Sequence, residues 1–397
     1  MSWTSGREAW RLLAAELRPL DPVEIPRAAA GGRVLANLVR ASVDLPPCDM
    51  SAMDGYAITE AVTEGASLPV TGTISAGDPP GRQLAAGEAV RIMTGAPVPE
   101  TAASIVPVEQ TDEGVKTVTF TSASSLGSHI RRQGEVVAVG DEVLPRGCPL
   151  SAHSLGLLAA HGIDQVPVVG EPSVATLSTG DEIVPPSEIP GPGQLRDSHT
   201  DFLRGSGRAL GLEFKSLGIA RDEKTDLEKH IEAGLAHDVL LITGGVSKGL
   251  FDLVENVLDG LGCETLFDAV AIQPGKPLVA ARHKGGLVFG LPGNPASVMV
   301  CYWLFVRPVL RVLMGHRDGY WQGALAARLA AALPGAGPRD RFFTASVEIR
   351  DGELLVTPHV PKGSHDLVAY GYGPALVRAR AHSKPAAAGA ACEILLI

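Results

Sequence analysis

A chain of 397 residues with 45% hydrophobic and 20% charged residues can bury large cores and divides into roughly two to four folding units. A net charge of −10 excludes a broad phosphate-tracking surface for DNA or RNA, so an anionic ligand needs a local pocket. The five cysteines form no CxxC pair and the eleven histidines no HxH or HxxxH pair, which argues against a zinc site or a disulfide framework and fits a reducing cytoplasm.

In chain order, Ala9, Trp10, Leu12, Leu13 and Leu17 carry a helical period, and a second helical pattern follows Pro26 through Ala28 and Val34. The start MSWTSGREAW has no basic-then-apolar leader pattern, and the apolar runs read as shorter than the roughly 18 residues of a membrane span, so no membrane insertion is expected. From Val43 to about Gly140, short β-type runs (AVRIM, SIVPV, VKTVTF) alternate with Gly and Pro turns. The segment LSAHSLGLLAAHG predicts a helix from Leu150 to Gly162 with Ser151 as its cap. Between Ser173 and about Gly315, strands alternate with helices, which predicts parallel βαβ units in a doubly wound sheet. The Ala-rich stretch Ala324 to Ala332 and the PGAGP after it read as a linker into a terminal β domain. The expected fold is therefore multidomain α/β plus β. Residues 1–42 with 140–172 form an elongated helical domain, 43–139 a β-rich domain, 173–318 the α/β domain and 319–397 a C-terminal β domain.

Ligands of open α/β sheets bind beyond the carboxyl ends of the strands. Three junctions here suit that. LSTGDE brings Asp181 and Glu182 to a strand end. TGGVSKG follows the strand DVLLI with Gly244, Gly245 and Ser247, ahead of a helix beginning near Asp252. GLPGNPAS presents Pro292, Gly293, Asn294, Pro295 and Ser297 before a long helix. Asn294 and Pro295 equally read as a helix cap and first helical residue. A fourth segment, IQPGKP, fixes Lys276 between two prolines, as a poised ammonium or as a solvated turn. In the β-rich region, MSAMDGYA places Asp54 before Gly55, and RIMTGAPVP places Thr94 in a loop. Both also read as plain turns, and MSAMDGYA is too small and polar for a strand core.

SAMDGYA, AVRIMTGAPVP, STGDE, GGVSKG, PGKP and GLPGNP, in this order, resemble the molybdopterin molybdotransferase family, which includes bacterial MoeA and the gephyrin E domain. The resemblance runs from about Ala9 to Gly315 and weakly onward. It implies a homodimer that inserts molybdenum from molybdate into adenylylated molybdopterin, with cleavage of the adenylate and a magnesium cofactor. It also implies that Asp54 and Thr94 of one protomer face Glu182 and Ser247 of the other. Glu182, Asp222 and Asp252 would be the acidic residues of the cleft, Glu182 and Asp252 also metal ligands, a role that suits magnesium's preference for hard oxygen donors. Lys276, Ser297 and Ser364 would bind phosphate or molybdate.

Three positions depart from the family pattern. Val136 stands where a cleft aspartate is usual, Gln273 where a second lysine precedes PGKP, and Thr344 where an arginine closes the Phe-x-Arg pattern. Each lost charge of a preorganised site typically removes about 3–4 kcal/mol of transition-state stabilisation. Two readings follow: an active insertase, or a weakened relative that binds the pterin or a partner without efficient insertion. A nucleotide-binding α/β protein of other activity leaves SAMDGYA and MTGAPVP unexplained.

Overall fold

The computed structural model describes residues 3–244 and 251–397. It comprises two compact units, Glu24–Val168 and Met1–Val23 with Val169–Ile397.

In the first unit, a five-stranded sheet runs in the order Ser104–Pro107, Gly55–Ile58, Ala89–Ile92, Ser67–Ile74, Thr117–Thr119. Gly55–Ile58 is buried along its whole length, with Ala57 in one core and Tyr56 and Ile58 in another. This corrects the reading of MSAMDGYA as turn and loop alone: the strand is short, but both its faces are covered. A Cβ at Gly55 would lie 2.0 Å from the Val106 carbonyl oxygen, so only glycine lets this strand pair with its neighbour there. The helix Ala152–Ala160 forms as expected, with Ser151 and Ser154 capping each other reciprocally. The second N-terminal helix does not form. Pro22–Pro26 is a strand, and only the three-residue 3₁₀ turn Arg27–Ala29 follows before Gly31 and Gly32 break the chain direction.

In the second unit, a six-stranded sheet has the order Phe214–Ala220, Val174–Thr179, Val239–Thr243, Gly286–Leu291, Val279–His283, Glu264–Phe267. The first four strands are parallel and the last two antiparallel, so the expected parallel sheet ends in an antiparallel edge. Alternation along Val239–Thr243 sends Val239 and Leu241 to one core and Leu240 and Ile242 to the other. The helices Lys224–Gly234 and Phe251–Gly260 cover the second face, while His199–Ala209 and the long helix starting at Pro295 cover the first. The sheet is thus doubly wound.

The run Pro295–Leu313 corrects the expectation that every apolar run is shorter than roughly 18 residues: it is 19 residues long with mean hydropathy 1.5. Two-thirds of it (67%) is buried against the sheet, and core packing accounts for its composition. A π-helical stretch, Tyr302–Val306, precedes Pro308, which cannot donate a backbone hydrogen bond.

The C-terminal strands close on themselves. Ile272–Gln273 pairs parallel with Asp340–Arg350, and the sheet continues through Glu353–Pro358, Leu325–Leu329, Ala391–Leu396 and Ala375–Ala379, which returns to Asp340–Arg350. The Ala-rich stretch is therefore no linker. Ala327 and Leu329 alternate inward in a strand, a pattern that alanine-rich composition conceals.

Phe305 is fully buried and stacks on Tyr320 at 5.4 Å. Phe305→Ala is expected to destabilise the chain by about 3–5 kcal/mol, read from denaturant unfolding.

Candidate active site

In the second unit, the sequence motifs gather at the carboxyl edge of the parallel strands. Thr243 and Leu291 are register partners on adjacent strands, so Gly244 and the loop 292–295 leave the sheet side by side. Gly244 has φ +90°, and a Cβ there would lie 2.4 Å from the Thr179 carbonyl oxygen. A Cβ at Gly293 would stand 3.6 Å from Gly244 Cα. The two glycines thus let three strand ends close on one another.

The loop divides its residues between two cavities. Gly293 and Pro295, with Gly244, Glu182, Asp197 and His199, line a cleft of 90 Å³. Pro292 and Asn294 line a cavity of 540 Å³ with Lys276, Ser297 and Ser364. All five of these larger-cavity residues were singled out in the sequence. Gln273, noted in the sequence as a departure from the family pattern, also lines it, as do Arg339, Arg341, Lys362 and Tyr370, which were not singled out. The only signal for them was the cluster of charges in PRDRFF and PKGS, which single-sequence reading cannot tell from a solvated surface.

The larger cavity is cationic. Among the described residues, Lys276, Arg339, Arg341 and Lys362 form no ion pair. Aromatic faces hold three of them instead: Lys276 Nζ and Arg339 Cζ lie 4.9 and 5.5 Å from the centre of the Trp3 ring, and Arg341 Cζ 4.6 Å from that of Phe343. Asn294 occupies the cap position, but its side chain makes no capping bond and is left to line the cavity. The amides of the helix start are engaged within the protein: Ala296 N–H donates to the Ser364 carbonyl at 3.2 Å and Ser297 N–H to the Asn294 carbonyl at 2.9 Å. Side chains and the helix dipole, not free amides, therefore face an anion here.

The small cleft carries both signs of charge, Glu182 and Asp197 with Arg196, and a further carboxylate pair lies next to Glu182 in sequence or space. Asp222 N–H donates to Asp181 Oδ1 at 3.4 Å, and burial, reinforced by the charges of Asp181 and Glu182, raises the Asp222 carboxyl above its ordinary value. Beside it, Ser178, Asp197, Thr200 and Thr243 form a buried hydrogen-bonded network that the sequence reading missed. Gly245 and Ser247 lie outside the described residues. Of Asp252 only the backbone is described, in the first turn of Phe251–Gly260.

In the first unit, Asp54 Oδ1 accepts from Thr94 N–H at 2.6 Å and from Thr94 Oγ1 at 2.7 Å. These bonds, the backbone one first, hold the Asp54 carboxyl below its ordinary value, so it is ionised at neutral pH. The alternative of a plain Asp-Gly turn fails, because the carboxylate bridges segments 40 residues apart and both side chains stay exposed. Of the departures, Val136 is 75% exposed, Gln273 lines the large cavity, and Thr344 is buried with its hydroxyl donating to the Ala369 carbonyl.

The family model described as the MoeA N-terminal region (domain I and II) matches residues 4–162, and that of a probable molybdopterin binding domain matches residues 175–312. Molybdopterin molybdenumtransferase 2 of Mycobacterium tuberculosis is 36% identical over 377 residues, covering 91% of this chain and 92% of that one. The molybdopterin molybdenumtransferase of Staphylococcus aureus is 31% identical over 400 residues, covering 98% and 94%. A solved molybdopterin biosynthesis moeA protein from Pyrococcus horikosii superposes with TM-score 0.85 at 29% identity, covering 100% of this chain and 99% of that one. The chain belongs to the molybdopterin molybdenumtransferase family.

Two substitutions probe this geometry. Gly244→Ala combines a left-handed φ with a backbone clash and is expected to cost about 1–3 kcal/mol in chemical denaturation. For Asp222, a raised carboxyl value means that ionisation works against the fold. Stability falls as pH climbs from the ordinary 3.8 through the folded-state value and stays low above it. Asp222→Asn should therefore raise Tm at neutral pH and lose that advantage below pH 3.8. A lower Tm at neutral pH would contradict this account.

Proposed function

We propose that this chain inserts molybdenum from molybdate into adenylylated molybdopterin and releases AMP, acting in the cytoplasm as a magnesium-dependent homodimer. The observation that carries this reading is the cationic cavity of 540 Å³, joined through one loop to a cleft holding Glu182 and Asp197 at the sheet's carboxyl edge. Lys276, Ser297 and Ser364 converge on that cavity, where an oxyanion meets ammonium and hydroxyl donors together.

Among the described residues, no three His, Cys, Asp or Glu side chains form a group that could hold a metal ion. Magnesium typically takes one or two carboxylates and fills its other positions with water and substrate phosphates. Glu182 and Asp252 are the residues assigned to hold it. When bound, the ion supplies positive charge to the phosphates of the adenylate. The chain's own residues do the rest. Lys276 and its neighbours orient the oxyanion. Asp54, ionised and fixed by Thr94, accepts a proton or a hydrogen bond at neutral pH and does not act as an acid. The homodimer lets the Asp54–Thr94 pair of one protomer serve the Glu182 cleft of the other.

The test is AMP release from adenylylated molybdopterin by the purified protein with molybdate and magnesium. Release should depend on molybdate and fall at least about a hundredfold in Asp54→Ala. Pterin binding with no AMP release from the unaltered chain would overturn the reading.

A further inference from the structure

We propose that Arg341 is an oxyanion-binding residue of the large cavity, supplying from one strand the positive charge that its cross-strand neighbour, Gln273, does not carry. The inference rests on the function proposed above and concerns how this chain holds the oxyanion.

Gln273 and Arg341 are register partners in the parallel pairing of Ile272–Gln273 with Asp340–Arg350. Paired residues on neighbouring strands lie about 5 Å apart and project to the same face, so charge at either position reaches the same part of the cavity. Both line it. Arg341 is also fixed from its other side, where its backbone pairs with Ala379. Its guanidinium lies over the Phe343 ring at 4.6 Å, and among the described residues it has no carboxylate partner. A half-buried arginine held by an aromatic face and left without a counter-ion is preorganised for an anion that arrives from outside. Its planar fork suits two oxygens of a tetrahedral oxyanion, which a lysine ammonium meets only as a point charge.

Arg339 is less suited to this role. Its guanidinium already donates to the Ile272 carbonyl at 3.3 Å and lies over Trp3. Lys362 is exposed, and the charge of the nearby Asp366 offsets its own. Arg341 is therefore the arginine most available to a ligand in this cavity.

The experiment is calorimetric titration of the full-length protein with molybdate, and separately with inorganic phosphate, for the unaltered chain, R341Q, K276A and the exchange variant Q273K/R341Q. R341Q keeps the alkyl stem over Phe343, and thermal melting verifies that each variant is folded. R341Q should weaken molybdate binding about tenfold or more, and Q273K/R341Q should recover most of that loss. A loss confined to molybdate assigns the arginine to the metal oxyanion, whereas an equal loss for phosphate assigns it to a phosphoryl group of the pterin substrate. R341Q within twofold of the unaltered chain, while K276A loses binding, would overturn the proposal and leave the function standing. If the unaltered chain binds neither anion and releases no AMP, the function falls and the proposal with it.

Discussion

The helix Pro295–Leu313 is too apolar to be stable in water alone, and its burial against the sheet is the constraint on which the site depends. Leu304, Phe305 and Val309 leave water in one core cluster that includes the sheet residues Leu241 and Phe289. Because the strand Gly286–Leu291 feeds this helix directly, the three-residue connection 292–294 must lie at the sheet's carboxyl edge. The neighbouring strand ends at Thr243, level with Leu291, so the space between the two exits is set by backbone contact between Gly244 and Gly293. A loop held this tightly can face two cavities at once, alternating residue by residue.

Charge is segregated about that loop. Four cations and no carboxylate line the larger cavity, whereas Glu182 and Asp197 line the smaller beside Arg196, within a chain whose net charge is −10. A cation neutralised by a neighbouring carboxylate gains little from a ligand, whereas one held by an aromatic ring keeps its field. Trp3 and Phe343 do this for Lys276, Arg339 and Arg341. The amides of the adjoining helix start are already bonded within the protein, so those side chains dominate the attraction for an anion.

What could be read in the sequence follows from how local each signal is. The doubly wound sheet was legible because apolar strands and helical periods alternate along the chain, and Gly244, Lys276 and Ser297 because turn residues sat where strands end. The strand in the Ala-rich stretch was not legible, since alanine fits any period and its pairing with Ala391–Leu396 is remote. Gly55–Ile58 was misjudged for a related reason: its burial comes from partners more than thirty residues away, Ala89–Ile92 and Ser104–Pro107. Arg339 and Arg341 escaped because their cavity forms only when the C-terminal strands meet Ile272–Gln273.

The three departures from the family pattern differ in what they can change. Val136 is exposed and its N–H is bonded to the Leu45 carbonyl, so the backbone is held whatever side chain it carries. Thr344 is buried with its hydroxyl satisfied by a carbonyl and does not line the cavity. Gln273 alone sits on the large cavity, beside a strand position that carries an arginine. Parallel register makes adjacent positions interchangeable as sources of charge, because the pairing fixes where side chains point and not which one is ionised. An anion site built across such a ladder can move its cation by one strand while both strands keep their pairing. Loss of a motif residue at such a position therefore says little about loss of the site until the neighbouring strand has been read.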